Sequence, residues 1–508
     1  MNEEMKYFFS KLFKFVIQEK YYLIMGSFMK RLVLFLFILL LTSPSEKGLA
    51  TDFSPEIINT NKKGVVSITV RASHAAYNST GAWSGTGFVV NKEKGIILTN
   101  RHVIGEATAS TFEVAFFNGR EADAVVLYTD PLLDFGFLKV DPEELPEDIE
   151  ALRLVDKIPT LNQPVIMIGK NEGQNFSLNV GNVSSLYESI GYFPTQSYRI
   201  SLNAQGGASG SPVITKNGDV IALTHSSNLS SAAFALPIGY VIDALEALIK
   251  GHKPKRRFTG ALVEYHSLDR ASKFNDFPED LIDPYMKKYP DSLNKGLLVN
   301  KILTGTPADT KLQLGDVIWK VNGQEIGPNL YAYDKLLNQS DKAITFTVYR
   351  GAKSLTIKVD SYDLEKNRVR RLINFGGATF YEADHFIALI TGAPYGVLFV
   401  SNILPGSSFY DEFPPISGTD KLFVNVVKLN GNPVKNLDSL KKLIPDLIKK
   451  EDFYVIYNNY AFYMGHNQTP IFTTTESLTE VSYKKLDGQP QLLTFNEKTG
   501  GWDRSEIE

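Results

Sequence analysis

Three short segments of this 508-residue chain carry side chains that together could perform acyl transfer. They are Thr99-Asn100-Arg101-His102-Val103, Asp130-Pro131-Leu132-Leu133-Asp134-Phe135-Gly136 and Gly206-Gly207-Ala208-Ser209-Gly210-Ser211-Pro212. A serine hydroxyl is a weak nucleophile at neutral pH and needs a base to take its proton during attack. Histidine suits that task, and a buried carboxylate behind it fixes the tautomer and stabilises the imidazolium that forms. The expected roles are therefore Ser209 as nucleophile, His102 as general base and Asp134 as the orienting acid. The backbone N–H groups of Gly207 and Ser209 would hold the oxyanion, in a turn that crowds any β-carbon. Gly-x-Ser-Gly-x-Pro fixes four positions, and chance would supply on the order of 0.01 such runs in roughly 500 residues. Asp130, four residues before Asp134, is expected to start a turn with Pro131.

The order His, Asp, Ser along a chain is that of the two-barrel chymotrypsin architecture. Residues 62–248 fit it, because they read as short β-type runs between turn residues. Examples are Val65–Val70, Gly87–Val90, Ile96–Leu98, Ala124–Leu127, Pro164–Gly169 and Asp219–Leu223. One helix is expected, Ile238–Lys250, with Val241, Leu245 and Leu248 on one side. The polar, basic stretch Gly251–Arg257 reads as a solvated hinge.

Two further modules echo each other. The first has Gly296-Leu297-Leu298-Val299, Leu314-Gly315-Asp316-Val317-Ile318 and Val321-Asn322-Gly323; the second has Gly396-Val397-Leu398-Phe399 and Leu429-Asn430-Gly431. A repeated apolar strand followed by an Asn-Gly hairpin turn indicates internal duplication. From about Glu476 the periodicity is weak, and a terminal extension is expected. The fold class is mainly β, a double β-barrel followed by two α+β modules. The expected boundaries are 1–50 for an N-terminal extension and signal, 51–250 for the barrels, 258–362 and 370–470 for the modules, and 471–508 for the extension.

Composition narrows the function. Net charge is −3, which provides no basic field to gather nucleic acid, and none is expected as a partner. The absence of cysteine excludes disulfides, thiol nucleophiles and thiolate metal sites. The seven histidines form no close pair at ligand spacing, so neither a metal nor another cofactor is expected. Lys30-Arg31, the apolar run Leu32–Leu41 and the small-residue end Gly48-Leu49-Ala50 read as a secretory signal around residues 29–50, with translation starting at Met25 or Met29. Ten helical residues span about 15 Å, half of a roughly 30 Å bilayer core, so no stable membrane span is expected after cleavage. The compartment expected is the periplasm or the exterior.

The run Gly85-Thr86-Gly87-Phe88-Val89-Val90, then Gly95–Val103, resembles the trypsin-like protease domain of the HtrA (Deg) family. Asp134 before an apolar strand, Ile168-Gly169, Val180-Gly181-Asn182-Val183-Ser184 and Phe234-Ala235-Leu236-Pro237 continue the likeness, which covers about residues 60–465. The two C-terminal modules resemble PDZ domains, the second a divergent one. The resemblance implies an ATP-independent serine endopeptidase that cleaves unfolded or misfolded proteins outside the cytoplasm, assembled as a homotrimer or a multiple of one. It also implies that peptide C-termini bind at Gly296-Leu297-Leu298, whereas for Gly396-Val397-Leu398 the favoured reading is a β-turn in a docking module that binds no free C-terminus. Ala208, Gly210-Ser211 and Phe135-Gly136 depart from the family's usual residues. Ser-Gly-Ser-Pro is similar to glutamyl endopeptidases, which hold an acidic side chain with a histidine near the position of His225. The plainer alternative for His225 is a half-exposed strand-end residue. Two other functions stay open: a catalytically idle PDZ-bearing scaffold, and a secreted protease specific for acidic residues.

Overall fold

The computed structural model describes residues 53–508, apart from 77–79, 106, 191–192, 229–230, 341, 411, 414–419, 451 and 464–475. The signal segment and both candidate starts, Met25 and Met29, lie outside the described residues. Among the described residues no helix is long and apolar enough to cross a membrane.

Helix α1 (Pro55–Gly64) begins on Ser54, whose hydroxyl accepts from the Ile57 N–H, with Pro55 preset in the first turn. It leads into a closed barrel of β1 (Val65–Ala75), β2 (Gly81–Asn91), β3 (Ile96–Thr99), β4 (Thr108–Phe116), β5 (Glu121–Thr129) and β6 (Gly136–Val140). Pairing of β1 with β4, Ile68 opposite Val114, closes it, and both side chains are fully buried. A second closed barrel follows, of β7 (Pro164–Asn171), β8 (Gln174–Ile190), β9 (Phe193–Ser201), β10 (Pro212–Thr215), β11 (Val220–Ser227) and β12 (Ala233–Pro237). Strand alternation sends Ile68, Val89 and Ile97 into the first barrel and Met167, Val183 and Val213 into the second. The opposite faces supply Phe88, Leu98, Phe137, Ile166 and Ile214 to a shared core, which holds the barrels together at the cleft where chemistry is expected. The expected helix is present as α3 (Gly239–Ile249) and buries Tyr240, Val241, Ala244 and Leu245.

The first module opens with β13 (Arg257–Phe258) and β14 (Ala261–Ser267), then α4 (Leu268–Asn275) and α5 (Ile282–Lys288). It continues with β15 (Lys295–Ile302), β16 (Val317–Val321), β17 (Gln324–Glu325), α6 (Leu330–Asn338), β18 (Ala343–Arg350) and β19 (Lys353–Asp360), and β20 (Tyr362–Asp363) returns to pair with β13. The sheet order is β14-β15-β16-β18-β19. The second module comprises β21 (Arg371–Phe375), β22 (Ala378–Glu382), α7 (His385–Thr391), β23 (Leu398–Ser401), β24 (Asp420–Leu429), β25 (Asn432–Pro433), α8 (Leu437–Leu447) and β26 (Asp452–Tyr463). Then come β27 (Glu476–Ser482), β28 (Gln491–Asn496) and β29 (Gly501–Glu506). Its sheet contains the run β22-β23-β24-β26-β27, the same order as the first module with the same hairpin and helix in place.

The duplication extends to single hydrogen bonds. Asn322-Gly323 and Asn430-Gly431 all have positive φ (50°, 80°, 47° and 75°), as a type I′ turn requires. Each asparagine side chain then accepts from the backbone of the next long strand, Thr345 N–H at 2.9 Å and Tyr454 N–H at 2.8 Å.

Three expectations change. The tail beyond 476 forms strands: β27 extends one end of the second sheet, and β28 and β29 extend the other through β21. Weak periodicity there reflects edge strands with one wet face and few core positions, Val481 and Leu493 among them. Gly296-Leu297-Leu298 is not a binding loop. It lies inside β15, where Leu297 and Leu298 pair with β14 on one side and β16 on the other, and Leu297 is fully buried. Leu398 sits likewise inside β23, between β22 and β24. Nor is 251–257 solvated throughout, because Pro254 and Arg256 are buried while Gly251, His252, Lys253 and Lys255 are exposed.

Candidate active site

β3 ends at Thr99, and Asn100 then caps a single helical turn, α2 (Arg101–Ile104), which presents His102 at the cleft. The turn stops at Gly105, whose φ of +85° ends the helix at once. Asn100 reaches across, its Nδ2 donating to the Asp134 carbonyl at 2.9 Å. Asp134 is buried, and both of its carboxylate oxygens serve His102. Oδ1 accepts the His102 backbone N–H at 3.0 Å, and Oδ2 lies 2.7 Å from Nδ1 of the ring. Burial alone would raise the Asp134 carboxyl, but the adjoining His102, its hydrogen bond, and more distantly His225 and Arg101 bring it below the usual carboxylate range. The acid therefore stays ionised while the His102 side chain, 39% exposed, remains accessible. With Nδ1–H given to the carboxylate, Nε2 is the basic nitrogen.

The loop bearing Asp134 is held from behind. Asp130 caps it as expected, Oδ1 accepting from Leu132 and Leu133 at 3.0 and 2.8 Å. Its other oxygen accepts from Arg256 Nε at 2.8 Å, and both groups are buried. The basic linker thus contributes one charge to the barrel core, and sequence could not pair residues 126 positions apart.

Ser209 is half-buried in a loop where Gly207 has φ +98° and Gly210 φ +86°. A β-carbon on Gly210 would come within 1.9 Å of the Thr86 carbonyl, so only glycine fits. Gly85 brings loop and base together: a β-carbon there would strike Val103, next to His102, at 2.7 Å and lie 3.3 Å from the Ser209 carbonyl. The predicted oxyanion donors, Gly207 and Ser209, are thus in the same loop, against the turn that carries the base.

His225 is buried within β11 rather than half-exposed, and its Nε2 lies 2.8 Å from Ser197 Oγ. Desolvation pushes its pKa down to about 4, with Asp134 opposing the fall and His102 adding to it, so it is a neutral ring. Sequence reasoning missed Ser197, Asn100 and Arg256. The buried Ser197–His225 pair also joins a serine to a histidine, but the carboxylate Asp134 gives both oxygens to His102.

A double barrel with a carboxylate–histidine pair beside a serine loop, followed by a PDZ-like module, defines the architecture of a trypsin-like peptidase domain with a PDZ attachment. The trypsin-like peptidase domain family matches residues 85–223, and the PDZ domain family matches residues 282–360. Curated relatives include the pro-apoptotic serine proteases NMA111 of Candida glabrata (30% identical over 437 residues, 83% of this chain and 42% of theirs) and Kluyveromyces lactis (30% over 470 residues, 89% and 45%). The chain spans less than half the length of these relatives. Among solved structures, the HtrA-type protease AlgW with a decapeptide aligns at 17% identity and TM-score 0.43, over 60% of this chain and 97% of that one. The chain carries a trypsin-like peptidase domain followed by a PDZ domain, the domain pair on which its likeness to the HtrA (Deg) family rests.

Proposed function

We propose that the chain is an ATP-independent serine endopeptidase acting on unfolded or misfolded polypeptides, with Ser209 as nucleophile, His102 as general base and Asp134 as orienting acid. The observation that carries this reading is the double grip of Asp134 on His102, through the ring at 2.7 Å and the backbone at 3.0 Å, beside the glycine-shaped Ser209 loop. Nε2 of His102 takes the Ser209 proton as Oγ attacks the scissile carbonyl, and the N–H groups of Gly207 and Ser209 receive the oxyanion. The imidazolium, steadied by Asp134, passes its proton to the leaving amine, and water then repeats the cycle on the acyl-serine. The test is casein digestion and fluorophosphonate labelling of purified protein beside Ser209→Ala. Loss of both signals in the variant supports the reading, because a triad member typically accounts for about 10⁴-fold or more of the rate. Equal, negligible signals in both proteins point instead to an idle scaffold.

Peptide recruitment is proposed at β14 rather than at Gly296–Leu298, since β14 ends its sheet and an extended peptide adds to such an edge. The homotrimer is likewise a proposal, read out by sedimentation. Export rests on residues 29–50 alone. The named relatives are yeast proteins and lend no support to a periplasm, and fractionation with N-terminal sequencing of the mature chain tests it.

A second reading concerns specificity. A pocket that accepts an acidic side chain would need His225 open and charged, whereas it is buried, bonded to Ser197 and held neutral, which counts against that pocket. A peptide-library profile with no acidic preference at the cleavage site removes it.

A further inference from the structure

We infer that Thr86, a barrel-one residue outside the triad, is the positioning residue that holds the nucleophile loop in shape for catalysis. The inference rests on the reading of Ser209 as nucleophile. Thr86 is fully buried in β2, and each of its polar groups is engaged at the junction of the barrels. Its hydroxyl donates to the Gly207 carbonyl at 2.8 Å and accepts from the Lys170 N–H at 2.8 Å. Its backbone N–H donates to the Ser209 carbonyl at 2.8 Å, and its own carbonyl accepts from Thr99 Oγ1 at 2.6 Å.

These contacts fix the loop plane by plane. A trans peptide is rigid and planar, so holding its carbonyl and its N–H fixes its orientation. The 207–208 plane is held by Thr86 at the carbonyl and by Gln205 O at the Ala208 N–H, 2.9 Å. The 209–210 plane is held by Thr86 N–H at the carbonyl and by Thr224 O at the Gly210 N–H, 2.8 Å. Between them, the Ala208 carbonyl accepts from the Ser211 N–H at 3.0 Å, which turns the Ser209 N–H to the opposite side. Thr86 therefore holds the planes on both flanks of the oxyanion donor, and it does so from the barrel that carries His102. Only a small hydroxyl-bearing side chain can act as donor and acceptor in this space, because Gly169 and Ser211 close in around it.

Thr86→Val keeps the volume and removes the hydroxyl, and Thr86→Ser restores it. Because losing one oxyanion donor typically costs about 10²–10³ in kcat, partial loss of its alignment is expected to lower kcat by about 10–100-fold. KM should stay unchanged, and Thr86→Ser should recover most of the rate. A wild-type kcat in Thr86→Val, or a loss confined to KM, overturns the proposal. Hydrogen exchange across residues 205–211 reads the same loop without chemistry: faster exchange in Thr86→Val, reversed in Thr86→Ser, supports the positioning role, and unchanged exchange overturns it. Failure of the wild type to label at Ser209 removes the nucleophile reading instead, while the exchange result still decides the role of Thr86.

Discussion

The two C-terminal modules share one strand order and one hairpin chemistry, yet their corresponding edge strands end differently. In the first module β14 closes its sheet, with no further strand paired outside it among the described residues. In the second, β21 pairs with β22 at that place and carries β28 and β29 beyond it. An edge of unpaired N–H and C=O groups is a template for strand addition. One copy keeps the template, and the other fills it with its own chain.

Their docking differs to match. The first module rests on the second barrel and α3 through apolar packing, with Phe258, Leu262 and Leu303 in the shared core, and through polar contacts: Tyr240 O–H donates to Asp334 at 2.9 Å, the Tyr331 N–H to Gln196 at 3.2 Å, and Lys295 to Tyr187 O at 2.9 Å. The second packs on the first barrel. There the Arg101 guanidinium lies 4.0 Å over the buried Phe386 ring, Arg368 donates to Thr129 O at 2.6 Å, and Ser401 to Ala75 O at 2.8 Å. Arg101 immediately precedes His102, so the filled module forms part of the wall behind that histidine. A repeated unit has been divided into one that supports and one left able to receive.

Breaking the neck between barrels and modules should have the largest effect. Arg256→Gln leaves the Asp130 carboxylate buried without its guanidinium, which typically costs about 3–5 kcal/mol. Urea denaturation should show that loss, and Asp130→Asn with Arg256→Gln should recover much of it by removing the stranded charge. If the single variant were as stable as the parent, the linker would be the solvated hinge that its composition suggests.

That hinge expectation shows where the sequence is legible and where it is not. The barrels could be read because alternation reports a one-sided strand directly, and the Asp134–His102 pairing because each segment carries its own turn residues around a reactive side chain. The Asn-Gly turns announced the duplication for the same local reason. Arg256, Ser197 and Thr86 act through partners 126, 28 and 121 positions away, and no local pattern encodes such distances. The Gly296–Leu298 error has the same origin: an apolar run looks alike at an edge and in a sheet's interior, and only pairing on both sides distinguishes them.

The next effect tests whether the tail belongs to the second module. Leu493 on β28 is fully buried between Phe399, Tyr381 and their neighbours. Leu493→Ala should cost about 3 kcal/mol, the middle of the range for a core leucine. An equal loss of thermal stability and of caseinolytic rate would mark the tail as structural support for the first barrel. A change within about 0.5 kcal/mol would mean that these strands are an appendage after all, as for an ordinary surface substitution.

The smallest effect is expected at the open edge, and it is the sharpest test of the comparison. Lys295 reaches from the first module to Glu188 at 3.0 Å and Tyr187 O at 2.9 Å, beside β14, where the Tyr187 and Tyr265 rings meet edge-on at 6.3 Å. Both side chains of the ion pair are about a quarter exposed, 25% and 28%, so solvent screens the attraction and desolvation is modest. Pairs of this kind are worth about 0–1 kcal/mol. Lys295→Met should therefore leave the denaturation midpoint almost unmoved. It should also raise the affinity of peptides with free C-termini, measured by fluorescence anisotropy, by less than about tenfold, the equivalent of about 1.4 kcal/mol. A loss of several kcal/mol would show the first module to be as firmly built into the protease as the second. Unchanged stability with no gain in peptide binding would place the recruiting edge elsewhere. The distinction between the copies requires weak contacts beside β14, because an edge that exchanges its cover for a substrate cannot be held by strong ones.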